Sequence, residues 1–226
     1  MWAMVLAGGR GVRLGHLTEE VPKPMIQIAN VPLLERQVRW LIAGGVTDIL
    51  FLLSYKPDVI QNYFRTGAEF GFVAHYCVQA DLSYGTGGMV RLGLGILPTS
   101  ITLFVVTNGD VLTDEPLQNV PRFADGHTVM AVERPSSYGV LRVQGKYIVE
   151  WHEHQVSWIN AGVYLMRRDM GLDVRLPEKG PIEEFLAQAS AQLDVYGYRS
   201  TQWWRSLDSF KDRLEMEEHF LAGGVT

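Results

Sequence analysis

Positions 2–6 form an apolar run with no polar interruption and predict a buried strand. A polar, glycine-rich stretch follows to about Pro24 and predicts a long loop. Pro32 then opens a helical pattern in which Leu33, Leu34, Val38, Leu41 and Ile42 recur at helical spacing, until Gly44-Gly45 end it. Positions 49–53 predict the next strand. Val59, Ile60, Tyr63 and Phe64 predict a short helix after Pro57, and positions 72–78 a third strand. Residues 87–97 predict a helix. Residues 101–106 are the most strand-like run, rich in β-branched and aromatic side chains. This alternation up to about residue 110 predicts an α/β fold with a parallel sheet covered by helices on both faces. Crossovers in such a sheet are right-handed, and ligands sit beyond the carboxyl ends of its strands.

The second half is patterned differently. Positions 128–132, 139–143, 147–151 and 159–166 predict strands with short links, and Gln144-Gly145 a hairpin turn. Positions 181–192 and 209–221 predict helices. With no linker and no internal repeat visible, residues 1–226 are expected to form one domain, an α/β half to about 110 and a β-rich half from about 111.

Composition narrows the function classes. Hydrophobic residues make up 47% of the 226 and charged residues 20%, which excludes intrinsic disorder. Twenty basic against 25 acidic side chains give a net charge of −5, which predicts no general attraction to nucleic acid or an anionic membrane. The single cysteine, Cys77, excludes an internal disulfide and a zinc site built on several cysteines. No apolar run approaches the roughly 20 residues that span a bilayer. The apolar N-terminus lacks a charged leader, so it is expected to be a strand rather than a signal peptide, and a cytoplasmic location is expected.

The first loop carries the chemistry. Leu6-Ala7-Gly8-Gly9-Arg10-Gly11-Val12-Arg13 places three glycines directly after a strand, where the backbone can approach a ligand and expose its N–H groups. Arg13 follows, and Lys23 stands between Pro22 and Pro24, which restrict the backbone around it. Glycines plus two cations at the end of a first strand suit a polyphosphate. The dinucleotide pattern fails because Leu14 stands at the third glycine position, and the Walker pattern fails because no Gly-Lys-Ser/Thr follows. Asp110, in Asn108-Gly109-Asp110 after the strand at 101–106, lies on the ligand side of the sheet and suits either a turn or a magnesium ligand.

The stretch LAGGRGVRLGHLTEEVPKPMIQIANVPLLE resembles the signature of the sugar-1-phosphate nucleotidyltransferases, the NDP-sugar pyrophosphorylases. The similarity extends along nearly the whole chain and is strongest before residue 111. It implies a Rossmann-like, mostly parallel sheet flanked by helices, with a β-rich sugar-binding second half of the nucleotide-diphospho-sugar transferase type. It implies that Leu6, Ala7, Gly8, Gly9 and Gly11 wrap a nucleoside triphosphate while Arg13 and Lys23 neutralise phosphate charge. Gln79 and the Gly85-Thr86-Gly87-Gly88 segment match the part that meets the nucleobase, with Gly85 and Thr86 as contacts; packing of an N-terminal helix turn is the other role for Gly87 and Gly88. By the same resemblance Asp110 and Asp208 bind Mg²⁺. Helix capping is the alternative role for Asp208, and Asp212 is the substitute ligand. Asn108, Tyr138, Gly139, Glu153, His154, Asn160 and Gly162 fall to the sugar phosphate.

His154 departs from the family, which has a lysine there that anchors the sugar phosphate. Imidazole is shorter and only partly protonated at neutral pH, so Arg142 or Arg205 is an alternative anchor. His152 and His154 alternate on one strand face, but no third ligand completes a metal site. Trp151, Trp158, Trp203 and Trp204 are candidates to stack on a sugar.

The implied reaction joins an NTP and a sugar 1-phosphate into an NDP-sugar and pyrophosphate. The G-T-G-G segment resembles the guanylyltransferases acting on heptose or mannose-type 1-phosphates, whereas WWRSLDSFKD resembles the cytidylyltransferases. Uridylyl, cytidylyl or thymidylyl transfer to N-acetylmuramate or glucose 1-phosphate is the alternative within the family. A catalytically weak nucleotide-sugar-binding regulatory module is the alternative from another class. A monomer or small homo-oligomer is expected.

Overall fold

The computed structural model describes residues 1–135, 140–153 and 155–224. In chain order the elements are β1 (Trp2–Leu6), β2 (Gln27–Ile28), β3 (Val31–Pro32), α1 (Leu33–Ala43), β4 (Asp48–Leu53), α2 (Pro57–Phe64), β5 (Val73–Val78), α3 (Gly85–Leu94), β6 (Leu103–Asn108) and β7 (Val111–Thr113). They continue with β8 (His127–Pro135), β9 (Val140–Gln144), β10 (Tyr147–His152), β11 (Val156–Arg167), α4 (Leu172–Arg175), α5 (Ile182–Ala191), β12 (Val195–Ser200), β13 (Trp204–Ser206) and α6 (Phe210–Leu221).

The central sheet has seven strands in the order β12-β8-β11-β6-β1-β4-β5. All neighbours pair parallel except β11, which runs antiparallel to both β6 and β8. The second half is therefore not a separate sheet: three of its strands extend the first. β9 and β10 form an exposed two-stranded hairpin whose turn is Gly145-Lys146, one residue beyond the expected Gln144-Gly145, because Gln144 still pairs with Tyr147.

The continuous apolar runs follow from burial on both faces. Ala3, Val5, Ile49, Phe51 and Val105 pack on one side against Leu34, Val38 and Leu41 of α1 and Ile60 and Phe64 of α2. Met4, Leu50, Leu52, Phe104 and Val106 pack on the other against Met89, Val90 and Leu94 of α3 and Ile182, Phe185 and Ala189 of α5. A one-residue register slip would exchange the two sets, so the alternation fixes the register. A third cluster joins Leu14, Ile26, Ile28 and Leu33 to Leu112, Leu207 and Met216. It seats α6 beneath the first loop and brings the C-terminal segment to the head of the sheet. No helix among the described residues is long and apolar enough to cross a membrane.

One buried titratable group makes the fold pH-sensitive. His127 is fully buried at the start of β8; its Nδ1 accepts the Arg167 N–H at 3.0 Å and its Nε2 has no partner. Burial, aided by Arg175, pushes its pKa down from 6.5 to about 4. The folded state keeps this imidazole neutral, while the unfolded chain takes up a proton below pH 6.5. Its contribution is therefore complete above pH 6.5 and is lost as pH falls through 4, a change on the order of 3 kcal/mol. Urea midpoints measured from pH 7 to pH 4 are expected to fall, and His127→Asn, which keeps an acceptor, should flatten that slope.

Candidate active site

The first loop leaves β1 alongside β4. The Ala7 N–H donates to Leu52 O at 3.0 Å and the Tyr55 N–H to Gly8 O at 3.2 Å. A Cβ on Gly8 would lie 2.8 Å from Ser54 Oγ and 2.9 Å from Ser54 N, so no larger residue fits this approach. Gly11 is left-handed at φ 65°, and a Cβ there would lie 2.9 Å from Lys23 Cβ. Among the described residues, the N–H groups of residues 8–11 find no protein acceptor and remain free for water or an anion. The Tyr55 hydroxyl donates to Thr18 O at 3.0 Å and pins the far side of the loop.

Two short 3-10 turns organise what sequence patterning shows only as loop. The first, Val12–Thr18, buries Leu14 and leaves Arg13 exposed. The second, Lys23–Met25, follows an extended Pro22 and buries the Lys23 side chain to 11% exposure. Its ammonium donates to Asp110 Oδ2 at 2.5 Å and to Asp208 Oδ1 at 3.1 Å. Arg13 Nη2 donates to the same Asp208 oxygen at 2.7 Å. Four residues that lie far apart in the chain thus meet at one point, at the carboxyl ends of β1 and β6.

Asp208 is not the helix cap. Ser209 caps α6, accepting the Asp212 N–H at 3.2 Å, while the Asp212 carboxylate accepts Ser209 Oγ at 2.7 Å and the Asp208 N–H at 3.1 Å. This reciprocal capping box employs Asp212 and leaves the Asp208 carboxylate free for Arg13 and Lys23. Burial raises the Asp208 pKa, but Lys23, Ser206 and Arg13 together outweigh it and hold the carboxyl below its ordinary value. Both carboxylates reach one ammonium nitrogen, so hard-oxygen donors converge where a divalent cation could take both. Among the described residues no set of three or more His, Cys, Asp or Glu side chains converges, so remaining ligands at such a position would be phosphate oxygens and water.

A pocket of about 260 Å³ opens beside this cluster. Leu6, Ala7, Gly8, Gly9, Lys23, Gly85, Thr86 and Asp110, singled out for the nucleotide, and Asn108, singled out for the sugar phosphate, line it. Pro24, Leu52, Ser54, Leu82 and Met89 line it too and were not foreseen. Leu52 and Met89 carry only a core-like apolar signal; Leu82, 42% exposed at the start of the short 3-10 turn Leu82–Tyr84, carries none. Gln79 does not line the pocket: its Oε1 accepts the Asp81 N–H at 3.0 Å and shapes the loop instead.

The glycine run at α3 has a packing cause. A Cβ on Gly85 would lie 2.5 Å from Gly180 O, and one on Gly88 2.6 Å from Glu178 O. The Gly87 N–H donates to Gly180 O at 2.9 Å, and Thr86 Oγ1 accepts the Ile182 N–H at 2.8 Å. α3 therefore starts at Gly85, two residues before its expected start, because residues 177–181 dock on its first turn. Lys179 ties the docked segment to Asp81 and Ser83, each at 2.9 Å, and this pairing drives the Asp81 carboxyl down to about 2.

Of the residues expected to meet the sugar phosphate, Asn108 and Gly162 lie against each other. Gly162 has φ 71° in a bulge of β11, and a Cβ there would lie 2.7 Å from Asn108 Nδ2. Asn160 holds the bulge: its Oδ1 accepts the Gly162 N–H at 2.9 Å and its Nδ2 donates to the Tyr164 hydroxyl at 2.8 Å. Asn108 Oδ1 is buried without a partner. Glu153 ends the exposed hairpin and accepts Trp151 Nε1 at 2.6 Å, with no contact to Asn108 or Gly162. Tyr138, Gly139 and His154 lie outside the described residues. Arg142 pairs with Glu150 and Arg205 with Glu215, so both alternative anchors already face a carboxylate. Trp203 stacks on His219 at 3.8 Å, and Trp204 donates to Ala161 O at 2.9 Å.

The profile of the nucleotidyl transferase family matches residues 2–219. The chain belongs to this family. Family relatives include a mannose-1-phosphate guanyltransferase of Gibberella zeae, 34% identical over 95% of this chain and 62% of its own length. Another of Kluyveromyces lactis is 29% identical over 100% of this chain and 64% of its own. The chain thus spans less than two thirds of these relatives. Among solved structures, HddC from Yersinia pseudotuberculosis superposes with a TM-score of 0.78 at 23% identity, covering 97% of this chain and 99% of that one. HddC is also known complexed with GMP-PN. At this identity the likeness shows the fold, the mostly parallel sheet flanked by helices.

Proposed function

We propose that the protein transfers a guanylyl group from GTP to a mannose- or heptose-type sugar 1-phosphate and releases pyrophosphate. The observation that carries this reading is the meeting of Lys23, Arg13, Asp110 and Asp208 beside a pocket floored by the glycine loop. The names of the guanyltransferase relatives support the choice of base and of a mannose-type acceptor. The resemblance of G-T-G-G supports guanine and the heptose version.

Charge arithmetic explains what the site requires. Two anionic substrates must approach, yet the protein's two cations there are cancelled by its two carboxylates. Extra positive charge is needed, and Mg²⁺ held by Asp110 and Asp208 would supply it, screening phosphate charge at the reacting phosphorus. Lys23 and Arg13 then turn from the carboxylates to the nucleotide's phosphates, whose oxygens also take the free N–H groups of residues 8–11. The apolar walls Leu52, Leu82 and Met89 receive the base. The unpartnered Asn108 Oδ1 accepts a substrate hydroxyl.

An oxygen of the sugar phosphate attacks the α-phosphorus, and the bond to the bridging oxygen of the β-phosphate breaks in line with it. The attacking oxygen is already ionised, so no side chain needs to act as a base, and no covalent enzyme intermediate forms. The protein's work is placement and charge stabilisation. A pyrophosphate-release screen crossing GTP, CTP, UTP, dTTP and ATP with hexose, heptose and N-acetylhexosamine 1-phosphates tests the assignment. GTP with a mannose or heptose phosphate is the expected pair; a different base as best substrate would overturn the guanylyl assignment.

A further inference from the structure

We infer that Gln37 is a positioning residue for the Asp110 carboxylate, an inference that rests on the nucleotidyl-transfer reading above. Gln37 lies on α1 and is 2% exposed; the other buried polar residue of this helix, Glu35, is held by Arg39 and the Tyr63 hydroxyl, whereas Gln37 faces the sheet. Gln37 Nε2 has two protons for three acceptors, Asn108 O at 2.6 Å and Thr107 Oγ1 and Val111 O each at 3.1 Å, so one proton is shared, and its Oε1 is buried without a partner. One amide nitrogen thus gathers three acceptors from the end of β6 and the start of β7. Between them lies the two-residue turn Gly109-Asp110, from which the Asp110 carboxylate projects into the pocket.

The same turn is tied on its other sides. The Gly109 N–H donates to Leu6 O at 2.8 Å, at the entrance of the glycine loop. The Leu207 N–H donates to Asp110 O at 2.9 Å, one residue before Asp208. Gln37 therefore fixes, through one turn, the place of Asp110, its distance from Asp208 and its relation to the first loop. Nothing about α1 folding requires a polar group here: leucine or methionine would satisfy its apolar face. The amide is explained by the Asn108 and Val111 carbonyls it holds on either side of the turn.

The test is titration calorimetry of GTP with Mg²⁺ and with EDTA, on wild type and Gln37→Met. Methionine keeps the length and cannot donate. Outer-shell partners of metal-binding carboxylates are worth about 10–100-fold in metal affinity. The Mg²⁺-dependent gain in GTP affinity is expected to shrink by about tenfold or more in Gln37→Met, with the affinity in EDTA unchanged. A variant that is only destabilised, with the wild-type Mg²⁺ gain intact, overturns the inference and leaves the transfer reading standing. Wild type with no Mg²⁺ gain overturns the metal part of that reading, and the inference with it. Should Gln37→Met not fold, Gln37→Glu, which keeps the shape and replaces the donor with an acceptor, is read by the same criterion.

Discussion

Lys23→Met is expected to lower kcat/KM by about a hundred- to a thousandfold, the range seen when a preorganised donor is removed from a developing charge. The variant should also change the free protein. The ammonium now lies 2.5 Å from Asp110 and 3.1 Å from Asp208, a position that a divalent cation bound to both would contest. Removing it leaves Asp110 without a counter-charge and Asp208 with Arg13 alone. Mn²⁺ titrated into the nucleotide-free variant and followed by electron paramagnetic resonance should therefore bind more tightly than to wild type. Equal affinity would mean that the ammonium does not stand in the cation's place. In wild type, on this reading, Asp110 and Asp208 would become available to a divalent cation once the phosphates of a bound nucleotide had drawn Lys23 away.

On the proposed reading, Asp110→Asn and Asp208→Asn are each expected to reduce turnover by about a thousandfold, because each removes a negative charge that would hold the metal and that pairs with Lys23. Asp212→Asn should behave differently. Its carboxylate closes the capping box of α6, so its loss is expected to cost about 1 kcal/mol of stability, measured as a lower urea midpoint. A thousandfold loss of kcat in Asp212→Asn with Asp208→Asn unaffected would reverse the assignment.

The sheet was legible where strands are buried on both faces. β1 has the expected limits, and β4 begins one residue early, because each is an unbroken apolar run. β12 escaped notice: it is a half-exposed edge strand with Gly197 in its middle, so it has neither a buried run nor clean alternation. β7 and β13, three residues each, are too short for any period to show. The antiparallel direction of β11 is a property of the long chain path before it and leaves no mark in its own composition.

The candidate cluster was legible through the signature in one respect: Arg13, Lys23, Asp110 and Asp208, each singled out there, lie in contact with one another. Its supports were not. Gln37 reads as one polar position in an amphipathic helix, and only the tertiary structure supplies its acceptors. Asn160 and Thr86, expected as ligand contacts, also have bonds within the fold that the sequence did not show: Asn160 holds the bulge of β11, and Thr86, which lines the pocket, accepts from the start of α5. Gln79 sits in a loop whose conformation is set by the Asp81–Lys179 pairing across the chain, which local spacing does not encode.

The most direct test of the central claim is the stoichiometry of the reaction, followed by phosphorus NMR with GTP, mannose 1-phosphate and the 226-residue chain, with Mg²⁺ and then with EDTA. The account predicts that GDP-mannose and pyrophosphate appear in equal amounts and that EDTA abolishes both; heptose 1-phosphate is run alongside, and either acceptor satisfies the claim. Release of inorganic phosphate from GTP without a sugar nucleotide, or firm GTP binding with no product from either acceptor, would contradict it.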